Sequence, residues 1–166
     1  GLYAYGGSDG LLMVSKLPLA SAREIDFTDI STLNRRRALA AEVDVAGTPV
    51  TVACTHLSAD LTGIAPYPGS FPSWANENLA QVDRLIEKRG TSGPTVAMGD
   101  FSCGLADEAN GLHGELAESC LAIEDAGYAD PAREVWPACT WCADNLLNAD
   151  GGEHHNALID HVYVRG

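Results

Sequence analysis

The sequence has few basic residues and no long apolar run. Lysine and arginine together number 10, against 23 aspartates and glutamates, which gives a formal net charge of −13. Non-specific binding to phosphate polyanions depends on clustered Lys and Arg, so this balance argues against a basic nucleic-acid-binding module. No stretch approaches the roughly 18 apolar residues that a membrane helix needs. Repeats and low-complexity tracts are missing as well.

The composition supports one globular domain that spans residues 1–166. Apolar residues make up 46% of the 166 residues, which is enough for a sizeable core. Five cysteines are more than a cytosolic protein of this size usually carries, and an odd count leaves at least one of them free or intermolecular. Export to a secreted or periplasmic location is therefore favoured.

The cysteine positions indicate a structural disulfide rather than redox catalysis. Cys139 and Cys142 have the spacing of a redox or zinc half-site, but no second cysteine pair of that spacing accompanies them. We expect a disulfide that uses one of the two, with Cys103 or Cys120 as a candidate partner. Cys54 lies inside an apolar run and is expected to be a buried free thiol.

Apolar periodicity and turn residues predict short strands mixed with two helices. Ser73 is a candidate cap for a helix that ends at Gly90, and a second helix is expected from about 113 to 126. Strands are expected at residues 10–14, 38–45, 50–55, 95–98, 136–142 and 159–164, with a hairpin between the second and third. Strands outnumber helices, which favours an α+β layered sandwich over a doubly wound sheet.

Three of the predicted strands carry, at one of their two ends, a polar group that can do chemistry. His56 follows the first of these strands, Asp100 the second, and Asp160 with His161 opens the third. Two carboxylates on adjacent strand ends would repel each other unless a divalent cation lay between them, and Mg²⁺, Mn²⁺ or Ca²⁺ suits such oxygen ligands. The two histidines can transfer protons near neutral pH. This set suits the attack of water on a phosphoester.

The order of these short motifs resembles the endonuclease/exonuclease/phosphatase superfamily. Residues 15–18, 55–57, 99–102, 140–146 and 159–161 follow the order and approximate spacing of that family from Ser15 to the C-terminus. The resemblance implies a four-layer α/β/β/α sandwich, of which this chain would be the C-terminal portion. It also implies a hydrolase that uses Mg²⁺, or Mn²⁺ or Ca²⁺ in its place.

The resemblance implies a role for each matching residue. Asp100 would orient or deprotonate the attacking water and contact the metal, and Asp160 would be the metal-binding aspartate of the final motif. His161 and His56 would contact the scissile phosphate. The group that orients His161 would be Asp144 or Asn145, and the spacing leaves both open.

Two departures from the family pattern affect the expected activity. Ser102 stands where the family usually has an asparagine that helps to position water, phosphate or metal, so this substrate-binding position carries a hydroxyl instead. The family's opening strands, with an asparagine and the principal metal-binding glutamate, have no counterpart before Gly1. A sandwich without those strands would expose an apolar face, so we expect an N-terminal segment or a second chain as a partner.

Other polar clusters have a functional and a structural interpretation. The basic run from Arg35 to Arg37 could bind a phosphate or a nucleic-acid backbone through Arg35 and Arg37, or it could form an exposed turn with a salt-bridged arginine. His113 is expected to be an ordinary surface residue. The Glu153-His154-His155 run could bind a metal, but an exposed loop is the favoured interpretation.

The leading functional hypothesis is a metal-dependent phosphodiesterase that hydrolyses a phosphoester by in-line attack of water. The acidic composition favours a small phosphoester or a phospholipid head group as substrate. A secreted endonuclease that acts on DNA or RNA is the alternative, so nucleic acid stays a possible partner. A non-catalytic binding module derived from the enzyme fold is the hypothesis from a different class.

Overall fold

A mixed five-stranded sheet organises this computed structural model, which describes residues 1–7, 10–89, 93–145 and 155–166. In spatial order its strands are β3 (Ala20–Asp26), β4 (Arg37–Val45), β5 (Thr48–His56), β6 (Thr95–Asp100) and β7 (Asp160–Arg165). Strands β5 and β6 run parallel, and the other neighbours are antiparallel. Strands β1 (Tyr3–Gly6) and β2 (Leu12–Ser15) form a separate antiparallel pair.

Helices cover one face of the large sheet and the β1–β2 pair lies against the other. Helix α1 (Trp74–Lys88) connects the parallel strands β5 and β6, and α2 (Ala117–Asp125) and α3 (Pro131–Val135) follow β6. The main core lies on the helical side and includes Phe27, Val82, Phe101 and Tyr163. Met13 packs with Leu39 and Ala41 on the opposite side. The α+β prediction is confirmed, with three layers of the sandwich present among the described residues.

Several predicted elements match the structure closely. The hairpin is present as β4 and β5, and β6 and β7 lie where strands were expected. Ser73 caps α1, since its hydroxyl accepts a hydrogen bond from the Asn76 amide. Gly127 ends α2 with a φ of 86°, a conformation that glycine adopts without steric cost. The predicted stop at Gly90 lies outside the described residues, as do Glu153 and His154.

Two predictions of secondary structure are wrong, and β1, β3 and α3 were not predicted. The second helix begins at Ala117 rather than near 113, because Leu116 is left-handed (φ 41°) and residues 104–115 form short bridges with one another. Residues 136–142 do not form a strand, and α3 occupies the region immediately before them. Strand β3 was not predicted, because its largely exposed sequence carries little apolar alternation.

Among the described residues no helix is long and apolar enough to span a bilayer.

Candidate active site

Three strand ends bring His56, Asp100 and Asp160 side by side. His56 is the register partner of Asp100 across the parallel β5–β6 pair, and Asp100 is the partner of Asp160 across the antiparallel β6–β7 pair. The three side chains therefore point to the same face of the sheet. His56 Nε2 lies 3.3 Å from Asp100 Oδ2. All three residues reach solvent, since His56 and Asp160 are exposed and Asp100 is partly buried.

The two carboxylates suit a divalent cation. Directly opposed residues of an antiparallel pair have Cβ atoms about 4.5–5.5 Å apart, and like charges at that distance repel each other. A cation between Asp100 and Asp160 would remove that repulsion, and carboxylate oxygens are the ligands that Mg²⁺, Mn²⁺ and Ca²⁺ prefer. Mg²⁺ takes about six oxygen ligands, so water, substrate or further protein groups would complete its shell.

The surroundings of His56 favour its neutral form. Burial lowers the pKa of His56 and the positive charge of Arg36 lowers it further, while Asp100 and Asp160 act in the opposite direction with a smaller effect. The net shift is downward, so the imidazole is available as a proton acceptor near neutral pH.

Among the three consecutive arginines, Arg36 has the electrostatic influence on the site. Arg37 instead forms an ion pair with Glu24 on the neighbouring strand, at 2.5 Å, which ties β4 to β3. The structure thus supports the salt-bridged interpretation for Arg37. Arg35 is exposed. The sequence had suggested Arg35 and Arg37 as phosphate ligands, and the arginine whose charge lowers the pKa of His56 is Arg36.

A tight turn after β6 orients the Asp100 carboxylate. Ser102 has a left-handed backbone (φ 52°), which brings its amide and its hydroxyl to Asp100 Oδ1 at 2.7 and 3.0 Å. Ser102 is only 3% exposed, so its hydroxyl lies behind the carboxylate and away from solvent, and a contact with substrate stays a prediction. Just before Asp100, Gly99 has a φ of 131°, and a Cβ atom there would clash with the Thr55 carbonyl of β5. Glycine at this position allows the two strands to approach.

The Thr140 hydroxyl anchors the start of β7. Thr140 Oγ1 accepts hydrogen bonds from the backbone amides of Ile159 and Asp160, at 3.1 and 3.0 Å. Thr140 lies inside the short loop that a Cys139–Cys142 disulfide closes. The backbone that carries Asp160 is therefore attached to a covalently closed loop.

His161 is buried and does not join the other three side chains. Its side chain is 2% exposed, with Nδ1 2.6 Å from Asp130 Oδ2 and Nε2 2.8 Å from the Cys103 carbonyl oxygen. Consecutive residues of a strand point to opposite faces, so Asp160 faces the site while His161 faces the helices. The contact of His161 with a scissile phosphate stays a prediction, and the partners that the structure gives this side chain are Asp130 and the Cys103 carbonyl.

The acid that orients His161 is Asp130, a residue that the sequence reasoning did not select. Asp144 and Asn145, the two candidates taken from the sequence, are both exposed on the surface. Burial on its own would raise the pKa of Asp130, but hydrogen bonds from His161 and from the Arg133 amide lower it below the usual value. Asp130 also caps α3, immediately before Pro131. That Asp-Pro helix start was a signal in the sequence that could have identified it.

The disulfides pair differently from the prediction. Cys103 is bonded to Cys120, with Cα atoms 5.8 Å apart, and Cys139 is bonded to Cys142. The Cys103–Cys120 bridge ties the segment after Asp100 to α2 beside His161. Cys54 is free as expected, but it is partly rather than fully buried, and this burial raises the pKa of its thiol.

A buried polar network supports the loop that follows His56. Glu77 is fully buried in α1 and accepts hydrogen bonds from the hydroxyls of Ser58, Tyr67 and Thr32. Gln81, one turn further along, accepts from the Ser58 amide at 2.9 Å. The network lies beside the apolar contacts of Val82 and Leu85, which the same helix buries in the main core. It holds the chain in place two residues after His56.

Sequence and structure comparisons agree with this geometry. The model of the Endonuclease/Exonuclease/phosphatase family matches residues 2–166. Among curated proteins, no sequence matches the chain significantly. A solved endonuclease/exonuclease/phosphatase structure from Beutenbergia cavernae is 21% identical, with a TM-score of 0.65 over 93% of this chain and 39% of that one.

Two further solved structures have the same fold at lower identity. TDP2 from D. rerio, complexed with single strand DNA product, is 16% identical with a TM-score of 0.64 over 99% of this chain and 62% of that one. The 3′ phosphatase NExo from Neisseria, bound to product DNA hairpin, is 18% identical with a TM-score of 0.67 over 99% and 67%. The chain thus spans from about two fifths to two thirds of these proteins. Because the family model covers almost every residue, the chain belongs to the endonuclease/exonuclease/phosphatase family.

Proposed function

We propose that this chain carries the C-terminal half-site of a metal-dependent phosphodiesterase. The observation that supports this most strongly is the register of three strands, which aligns His56, Asp100 and Asp160 on one face. Two carboxylates and one neutral imidazole provide what hydrolysis of a phosphoester by water requires, namely metal ligands, a proton acceptor and a group that contacts the substrate.

Each residue has a separate part in the proposed hydrolysis. A cation bound by Asp160 and Asp100 would offset the negative charge that develops on the phosphoryl oxygens. Asp100 is oriented by Ser102, and its carboxylate can hold the attacking water and accept its proton. His56 lies 3.3 Å from Asp100 and is also exposed, so it can contact an oxygen atom of the substrate. His161 is a positioning residue, because it links the start of β7 to Asp130 and the Cys103 carbonyl.

We propose a small phosphoester or a phospholipid head group as the substrate. The net charge of −13 would repel a long polyanion, which favours a compact substrate. A nuclease is the second candidate, and two observations favour it. Arg36 places positive charge near His56, and two relatives with this fold are described with DNA product.

We also propose that the working protein has a further segment that covers the sheet face beside the site. Met98 and Val162 lie two residues from Asp100 and Asp160 on the same face, and each is 38% exposed. Apolar residues of a central sheet are normally covered. Mass spectrometry of the natural protein should reveal a longer polypeptide or a second chain, whereas a stable, monodisperse 17.5 kDa species would argue against such a segment. The two disulfides support a secreted or periplasmic location.

One assay panel separates the candidate functions. The natural protein, including the further segment proposed above, is incubated with Mg²⁺ or Mn²⁺ and with plasmid DNA, sphingomyelin or bis-p-nitrophenyl phosphate. We expect metal-dependent turnover of at least one substrate and its loss in Asp160→Asn, with Asp125→Asn as a control for removal of an exposed carboxylate. Turnover that survives in Asp160→Asn would contradict the site assignment. No turnover of any substrate would favour the non-catalytic binding module.

A further inference from the structure

His113, Glu115 and His155 form a cluster on the surface that the proposed hydrolysis does not use. One ligand atom from each residue can be chosen so that the three atoms lie within 4.8 Å of one another. The two imidazole rings have centroids 4.1 Å apart, and His155 Nε2 lies 3.2 Å from Glu115 Oε2. We propose that this cluster is a binding site for a zinc-class transition-metal ion, distinct from the Asp100–Asp160 site.

The donor set points to zinc rather than to magnesium. Two imidazoles and one carboxylate are a ligand set that Zn²⁺ uses in proteins, with water in the fourth position. Mg²⁺ prefers oxygen ligands and binds imidazole poorly. A tetrahedral ion about 2.0–2.1 Å from each ligand separates two ligand atoms by about 3.3 Å. The 3.2 Å between His155 Nε2 and Glu115 Oε2 is close to that separation.

The contacts around the cluster orient the ligands as a metal site requires. His113 Nδ1 lies 2.7 Å from the Gly114 carbonyl oxygen, so its Nδ1–H can donate to that oxygen and leave the lone pair on Nε2 for a metal. Metal-binding histidines usually donate their second N–H to a carbonyl or carboxylate in this way. Glu115 is held by two backbone hydrogen bonds to Gly104, at 2.6 and 2.8 Å.

The cluster joins two segments that lead to the candidate active site. His113 and Glu115 lie in the loop that follows Asp100, and His155 lies in the segment that precedes Asp160. The His113 amide donates to the Asn156 carbonyl at 2.7 Å, which is a direct backbone link between these segments. A bound ion would also join His113 to His155, which are 42 residues apart in sequence. It would hold the loop against the chain that precedes β7.

The test is a zinc titration of the metal-free protein in the presence of millimolar Mg²⁺. We expect one Zn²⁺ per chain, measured by competition with a chromophoric chelator, and at least tenfold weaker binding in His113→Ala, His155→Ala and Glu115→Gln. Glu118→Gln is the matched control, because Glu118 is an exposed acid three residues away, outside the cluster. Co²⁺ should give the visible absorption of a four-coordinate site in the wild-type protein and in Glu118→Gln, but not in the three cluster variants.

Two further measurements keep the test decisive. Histidine ring NMR signals of the wild-type protein should show shifts of His113 and His155 on addition of Zn²⁺, and this requires no variant to fold. Zinc binding should persist in Asp100→Asn/Asp160→Asn if the two sites are separate. The proposal is overturned if zinc shifts the His56 signals alone, if that double variant abolishes binding, or if the cluster variants bind zinc as the wild type does.

Discussion

At the scale of single residues, the site depends on how its acids and imidazoles are held. Asp100 receives two hydrogen bonds from Ser102, while His161 has an oxygen acceptor at each ring nitrogen. Asp130 is the carboxylate that pairs with the His161 ring in the interior, at 2.6 Å. A buried charged hydrogen bond of this kind contributes more to stability than a neutral one.

Replacement of Asp130 by asparagine should destabilise the protein by about 1–3 kcal/mol near neutral pH. The pKa of Asp130 is lowered in the folded state, so its contribution is present above the unfolded-state pKa of about 3.9 and is lost as the pH falls through the folded pKa. Urea denaturation of wild type and Asp130→Asn should therefore give a difference that shrinks below about pH 4. The control Asp125→Asn, which changes an exposed acid, should have almost the same free energy of unfolding as the wild type. A stability difference between wild type and Asp130→Asn that stays the same at all pH values would refute this account.

The sequence was informative about His56, Asp100 and Asp160 because each lies at the end of an apolar strand. The partner of His161 was much harder to identify, since Asp130 lies 31 residues away and meets it only through the tertiary fold. The burial of His161 itself depends on strand alternation, which was available from the sequence but was outweighed by the family resemblance. Arg36 could not be separated from Arg35 and Arg37 without the position of His56.

At the scale of elements, the parallel contact between β5 and β6 brings two of the site residues together. Gly99 allows this contact, because no side chain fits between its Cα and the Thr55 carbonyl. Gly99→Ala combines a positive φ with a steric clash, and should cost about 3 kcal/mol or more. Gly111→Ala is the control, since Gly111 has a φ of 67° but open space around it. Urea denaturation that shows equal costs for both would contradict the close approach.

The anchoring of β7 by Thr140 can be tested with an isosteric substitution. Thr140→Val removes the oxygen that accepts from the Ile159 and Asp160 amides, so Asp160 should become less well positioned. We expect about a tenfold decrease in kcat, which corresponds to about 1.4 kcal/mol, with a small effect on stability. Thr140→Ser keeps the acceptor and should stay near wild type. Equal kcat values for Thr140→Val and wild type would show that this bond does not position Asp160.

Elements with strong local signals were predictable and those set by long-range contacts were not. The capped helix α1 and the β4–β5 hairpin carry their start and turn residues in the sequence. The start of α2 depends on the bridge between Gly104 and Glu115, and β3 is recognisable mainly by its pairing with β4. The burial of Glu77 and Gln81 in α1 could not be predicted from apolar periodicity, because their partners come from distant segments of the chain.

At the scale of the whole molecule, the net charge of −13 should govern which phosphoesters reach the site. Raising the ionic strength from about 0.01 to 0.15 M shortens the screening length from about 30 to about 8 Å. At constant Mg²⁺, kcat/KM for a single-stranded oligonucleotide should rise severalfold, because repulsion is screened. The value for a zwitterionic phospholipid head group should change little. A fall in the oligonucleotide value would instead indicate a basic binding surface contributed by the rest of the protein.

The central claim is that Asp100 and Asp160 hold one divalent cation between neighbouring strand ends. Electron paramagnetic resonance of free Mn²⁺, with the zinc cluster removed by His113→Ala, measures this directly. We predict one Mn²⁺ bound per chain and at least tenfold weaker binding in Asp100→Asn and in Asp160→Asn, with Asp125→Asn unchanged. Equal Mn²⁺ affinity in all four proteins would contradict the account.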